Sequence, residues 1–267
     1  MQTGLSMNEC RIFPTPEAIG RHVAETILDG FDAARAAGKT YLLGCPTGRT
    51  PRPVYSALAD MLRQAPRDLS GLVLVMMDEY VLADTAGALR LAAPEAHYSC
   101  QGFAEREIRQ FLNAALPPED QLPAENVWFA DIDEPEAYDR RIAEAGGLDF
   151  FILASGASDG HVAFNPPGTP RHSRTRVVTL AEETRIDNMS TFPGFADISE
   201  VPTHGISVGL ETIAGARDAA MILTGAGKQL AFQRITGTRG FDPDWPASIV
   251  HDCAKNLILA DPAAAGH

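Results

Sequence analysis

Ile19, Val23, Ile27 and Phe31 recur every four positions, which lays one apolar stripe along a helix over residues 16–37, with Gly38 as its stop. The pattern then changes period. Tyr41-Leu42-Leu43-Gly44 is a short unbroken apolar run and predicts a buried strand, followed by a helix over 53–62. Leu72 to Met77 is a second such run, and segments 101–116 and 134–145 are again helical in spacing. Further short runs at 148–154, 205–208, 220–223 and 256–259 complete the set of predicted strands. Short apolar strands alternating with amphipathic helices predict an α/β fold built on a parallel sheet with helices on both faces.

Residues 166–202 break this rhythm. The stretch is rich in Pro, Thr, Ser and Arg, shows little periodicity, and is expected to act as a functional lid rather than a linker. No repeat or domain boundary is visible, so residues 1–267 are expected to form one domain.

In an open parallel sheet, ligands bind beyond the carboxyl ends of the strands. Four such ends carry candidate chemistry. Gly44-Cys45-Pro46-Thr47-Gly48-Arg49-Thr50-Pro51 offers backbone N–H groups, the hydroxyls of Thr47 and Thr50 and the flexible Gly48 ahead of a helix, which suits an oxyanion; an ordinary strand-to-helix turn reads almost the same. Asp78 and Glu79 directly follow a buried strand, where one-sided desolvation raises a carboxyl pKa toward that of a general base; surface charge or helix capping is the plainer reading. In Asp159-Gly160-His161, a carboxylate two residues before an imidazole can fix its tautomer while the other ring nitrogen faces a cleft. Thr224-Gly225-Ala226-Gly227-Lys228 places a lysine where it can reach an anion, with Arg49 as a second counter-charge.

Charge narrows the partners. With 22 Lys and Arg against 35 Asp and Glu, the formal net charge of −13 argues against nucleic acid and anionic membrane surfaces. The apolar run 72–77 is far too short to span a bilayer, and Met1 to Phe13 lacks the features of a secretory signal. Four scattered cysteines and seven histidines without local ligand spacing predict no metal site and a reducing, cytoplasmic setting.

Taken together and in order, these motifs resemble the glucosamine-6-phosphate isomerase (deaminase) and 6-phosphogluconolactonase family over nearly the whole chain. Pro46-Thr47-Gly48 with Thr50-Pro51, Asp78-Glu79-Tyr80-Val81 with Pro94-Glu95 and Tyr98-Ser99, and Asp159-Gly160-His161 with Ala163-Phe164-Asn165 are similar to the isomerase side, as are Ser173-Arg174-Thr175-Arg176 and Thr184-Arg185. The resemblance implies a modified Rossmann-like, doubly wound fold that binds a small sugar phosphate, needs no cofactor and commonly assembles into homo-oligomers. It implies that an amino-sugar phosphate becomes a ketose phosphate with loss of ammonia. Asp78 would shuttle a proton between C2 and C1 through an enediol-type intermediate, and His161, oriented by Asp159, would assist ring opening. Thr47, Gly48 and Thr50 would form the phosphate loop and Glu79 would contact the substrate; Lys228 would reach the same anion, and Arg49, standing where isomerases commonly have glycine, would compensate for a missing phosphate arginine.

The chain departs from the isomerase pattern at three places. Pro166 stands where isomerases carry a glutamate, Ser190 stands near an expected phosphate arginine, and Ser155-Gly156-Ala157-Ser158 replaces a more glycine-rich approach to the histidine. Pro167-Gly168-Thr169-Pro170 and Thr224-Gly225-Ala226-Gly227-Lys228 look more like lactonase segments, whereas Tyr80 stands where lactonases show arginine. The isomerase motifs are more numerous, so that activity is expected first. A phospholactone hydrolase using His161 to activate water comes second, and a sugar-phosphate binder without turnover third.

Overall fold

The computed structural model describes residues 9–267. The reading of Met1 to Phe13 falls largely on residues 1–8, outside the described residues. Among the described residues there are eleven strands: β1 (Glu9–Ile12), β2 (Tyr41–Cys45), β3 (Leu72–Met76), β4 (Asp78–Ala83), β5 (Leu89–Leu91), β6 (Val127–Trp128), β7 (Phe150–Ala154), β8 (Arg176–Thr179), β9 (His204–Ser207), β10 (Asp218–Leu223) and β11 (Lys255–Ala260). The α-helices are α1 (Pro16–Ala36), α2 (Arg52–Gln64), α3 (Cys100–Phe103), α4 (Gln110–Asn113), α5 (Pro135–Glu144), α6 (Glu182–Thr191), α7 (Leu210–Ala214), α8 (Gln229–Thr236) and α9 (Pro262–Ala265). A π-helical run, Ala104–Arg109, joins α3 to α4, so the helix expected over 101–116 is continuous but wider in its middle.

Seven strands form a parallel sheet in the order β1-β11-β10-β7-β2-β3-β6. Its unbroken apolar runs have a direct cause. Successive strand residues point to opposite faces, and both faces are covered. Leu43, Leu74, Met76, Phe150, Ile152 and Ile222 pack under α1, α2 and the 103–116 helical stretch. Their neighbours Leu42, Val73, Val75, Phe151, Leu153 and Met221 pack under α5, α7 and α8. Gly44 has a local reason as well: a Cβ there would run into the Phe151 ring on the next strand.

The sheet grows outward in both directions from β2. The chain passes from β2 to β3 on one side, while β7, β10 and β11 lie on the other. The crevice between β2 and β7 is therefore a topological switch point, where strand ends part and leave room for a ligand.

A second sheet, antiparallel in the order β5-β4-β9-β8, was not expected. The 205–208 run belongs here and not to the parallel sheet. After Met77 the chain continues straight into β4, so Asp78 lies at the junction between the sheets, opposite Ser207. Tyr80, Ala92, Cys100, Phe164 and Leu180 form a small core beneath this second sheet. The 166–202 stretch is more ordered than its sequence suggested, since it contributes β8 and α6. Among the described residues, no helix is long and apolar enough to cross a membrane.

Candidate active site

The loops after β2, β3, β7 and β10 leave four adjacent strands at one edge of the sheet, and they meet in a cleft of about 600 Å³. Thr47, Gly48, Arg49, Thr50, Asp78, His161 and Lys228 all line it. Asp159 stands behind His161, with only 8% of its side chain exposed. Thr47 and Lys228, 181 positions apart in order, thus share one pocket.

The Asp159–His161 pair is built from its loop. Gly160 has φ +69°, a left-handed conformation that lets the chain reverse between the two side chains, and a Cβ there would strike the Trp245 ring. Gly156 is equally constrained, because its hydrogen side abuts Asp159 Oδ1 and His161 Nδ1. Asp159 Oδ1 accepts from His161 Nδ1 at 2.7 Å and from the His161 backbone N–H at 3.1 Å. Burial works against the Asp159 charge, but these bonds and the facing imidazole outweigh it and hold the carboxyl below its usual range. The Nδ1 atom carries its proton toward Asp159 in this arrangement, which leaves Nε2 as the acceptor.

Asp78 opens on the cleft but is surrounded by protein on its other sides. Burial lifts its pKa to about 7, with Glu79 adding to the rise; the Cys100 thiol, 3.4 Å from Oδ1, and His161 pull the other way. A carboxyl balanced near neutrality can both take up and return a proton. Lys228 Nζ donates to Ser155 O at 2.6 Å, and burial lowers its pKa while Asp187 and Asp159 support its charge. The Gly225 N–H is directed away from the cleft, to both oxygens of Asp261 at 3.1 and 2.9 Å, so this turn presents its lysine rather than a full set of amides.

Glu79 differs from expectation. It is 1% exposed and is absent from the cleft wall. The two-residue period of a strand turns it opposite to Asp78. There it accepts from the N–H groups of Tyr80, Cys100 and Gln101 and from the Ser99 hydroxyl. It anchors the start of α3 and faces away from the cleft.

Several lining residues come from the 166–202 stretch, and of these only Ser190 was singled out from sequence. Asp187, Asn188, Ser190, Thr191 and Phe192 border the cleft. The Thr184 hydroxyl lies 3.2 Å from His161 Nδ1, and Asp187 Oδ2 accepts from Ala157 N–H at 3.2 Å. Positions 184, 187, 188 and 191 fall on one helical face, a polar pattern that leaves no apolar stripe in the sequence. Pro166 does not line the cleft; its carbonyl accepts from Thr169 in a turn. Asp159, His161 and Asp187 hold potential metal-ligand atoms within 4.8 Å of one another. Because Nδ1 is already engaged by Asp159, the group reads as a dyad faced by a second carboxylate.

Comparison with known proteins gives the family. The family model for glucosamine-6-phosphate isomerases/6-phosphogluconolactonase matches residues 14–259. The chain is 33% identical over 257 residues to a glucosamine-6-phosphate isomerase of Candida albicans, covering 96% of both chains. It is 38% identical over 221 residues to a glucosamine-6-phosphate deaminase of Streptomyces avermitilis, covering 82% of this chain and 77% of that one. Its fold superposes on a solved monomeric glucosamine-6-phosphate deaminase with a TM-score of 0.80 at 24% identity, covering 97% of this chain and 99% of that one. The 6-phosphogluconolactonase of Trypanosoma cruzi shares the fold at a TM-score of 0.65 and 16% identity, covering 98% and 97%. The chain belongs to the glucosamine-6-phosphate isomerase/6-phosphogluconolactonase family.

Proposed function

We propose that this protein is an amino-sugar-phosphate isomerase/deaminase, converting glucosamine 6-phosphate or its galacto epimer to a ketose phosphate and ammonia. The observation that carries the reading is the convergence of Asp78, the Asp159–His161 dyad and Lys228 on one cleft. The naming of relatives as glucosamine-6-phosphate deaminases or isomerases, at 33% and 38% identity, supports it.

The chemistry divides between the two groups. His161 Nε2 exchanges a proton with the ring oxygen, and the sugar opens to its aldehyde. Asp78 then removes the C2 proton, which the C1 carbonyl acidifies, and the electrons shift onto the C1 oxygen, which takes up a proton to give an enolamine; the nitrogen gives one up when C1 is protonated. The same carboxyl returns the proton to C1. The resulting C2 imine takes up water and expels ammonia, so substrate plus water balances ketose phosphate plus ammonia. Thr47, Gly48, Arg49, Thr50 and Lys228 hold the phosphate throughout. The 166–202 segment serves as a lid, carrying α6 against the dyad. The setting is cytoplasmic, in keeping with four free cysteines.

Incubation with glucosamine 6-phosphate, galactosamine 6-phosphate and 6-phosphogluconolactone in turn tests this. Ammonia with ketose phosphate is expected. Acid release from the lactone alone would replace the reading with hydrolysis, and binding without product would reduce the protein to a binder.

A further inference from the structure

Cys100 is fully buried at the first turn of α3, and no step above uses it. Its Sγ lies 3.4 Å from Asp78 Oδ1 and 3.7 Å from the Thr47 hydroxyl, both within the range of hydrogen bonds to sulfur. The sulfur is held there from behind. Glu79 Oε1 accepts from the Cys100 backbone N–H at 3.0 Å, and the Ser99 hydroxyl and Gln101 N–H fasten the same turn to the other carboxylate oxygen.

Proton inventory decides the direction of the contact. An ionised Asp78 can only accept, so the single S–H proton belongs between sulfur and Oδ1. Burial drives the thiol pKa well up, with Glu79 and Asp78 adding to it, so the sulfur keeps that proton. Its lone pairs then remain for the Thr47 hydroxyl. One thiol thereby joins the anion-binding loop to the proton-transfer carboxyl.

We propose that Cys100 is a positioning residue whose S–H, donated to Asp78 Oδ1, leaves Oδ2 as the oxygen that exchanges protons with substrate and favours the ionised carboxylate. The proposal rests on the reading of Asp78 as the proton shuttle. Other groups act on the same carboxyl: Glu79 and Tyr80 on its own strand, Tyr55 from α2 and His161 across the cleft, with Arg49 and Lys228 in the cleft wall. The Tyr55 hydroxyl is committed to Pro46 O at 2.7 Å, and Glu79 to its four donors, which leaves the thiol as the hydrogen-bond donor to Asp78 among the described residues.

The test reads Asp78 directly. Its carboxyl carbon is followed by 13C NMR against pH in the full chain, assigned with Asp78→Asn, and needs no substrate. Cys100→Ala and Cys100→Val both lack a donor but disturb packing in opposite senses. Both are expected to raise the Asp78 midpoint by roughly half a unit or more, whereas Cys100→Ser returns it toward the wild-type value. The acid limb of kcat/KM should follow the same order. An unchanged midpoint in Ala and Val, or a Ser variant that behaves like Ala, would overturn the proposal. Midpoints that move as expected in a protein that turns over none of the three sugar substrates would uphold the thiol bond and remove the isomerase reading instead.

Discussion

The hydroxyl of Thr184 sits 3.2 Å from Nδ1 of His161 and 3.5 Å from Oδ2 of Asp159, so α6 touches the dyad directly. Thr184→Val keeps the shape and removes this contact. One neutral hydrogen bond is worth about 1 kcal/mol, so kcat is expected to fall about fivefold with KM little changed. Steady-state kinetics on glucosamine 6-phosphate check this, and an effect confined to KM would mean that Thr184 serves binding alone.

Asp78 places an opposite demand on stability. Its folded pKa of about 7 lies above the unfolded value near 3.8, so the folded state binds the extra proton between these limits. That contribution to stability is complete below the unfolded value and is lost as pH rises through the folded one. Asp78→Asn should therefore raise Tm at pH 8 but leave it nearly unchanged at pH 4, while turnover falls by roughly 10²–10⁴. Calorimetry at the two pH values decides; equal Tm shifts at both would refute the titration argument.

Glu79→Gln tests an anchor. The amide nitrogen cannot accept, so at least one of the four donors around residue 79 loses its partner in a buried site. A cost of about 2–3 kcal/mol in urea unfolding is expected. A large rise in KM at unchanged stability would restore the substrate contact first anticipated for this residue.

Arg49 and Lys228 should separate by burial. Arg49 is exposed at the cleft rim, whereas Lys228 is half-buried. Arg49→Ala is expected to raise KM for a phosphorylated sugar about tenfold and to spare a neutral analogue, and Lys228→Met to exceed it. Raised ionic strength should weaken wild-type binding more than that of Arg49→Ala. Identical losses with both analogues would exclude phosphate recognition by Arg49.

The parallel sheet and its four strand ends were readable because they follow from local pattern. A buried run such as Leu72 to Met76 is apolar on both faces wherever it sits in the sheet. The second sheet was not readable, since the Asp78–Ser207 and Arg176–Ser207 registers join distant residues and leave no periodic trace. Glu79 was misread for a related reason: once Asp78 starts a new strand, the two carboxylates must diverge. The α6 helix escaped notice because the face it buries looks onto a polar cleft, so Thr184 is its one buried residue and no apolar stripe marks it. Cys100 had no signal at all in the chain order, for its meaning depends on Glu79 drawing the start of α3 toward β4.

Asp261 joins two regions that a sequence would treat as unrelated. It grips Gly225 with both oxygens and also caps α9 through Ala264 N–H, so the strand-to-helix turn bearing Lys228 is moored to the segment just past β11. Edits around residue 261, though remote from the cleft in sequence, are therefore expected to loosen the placement of Lys228 in the cleft wall.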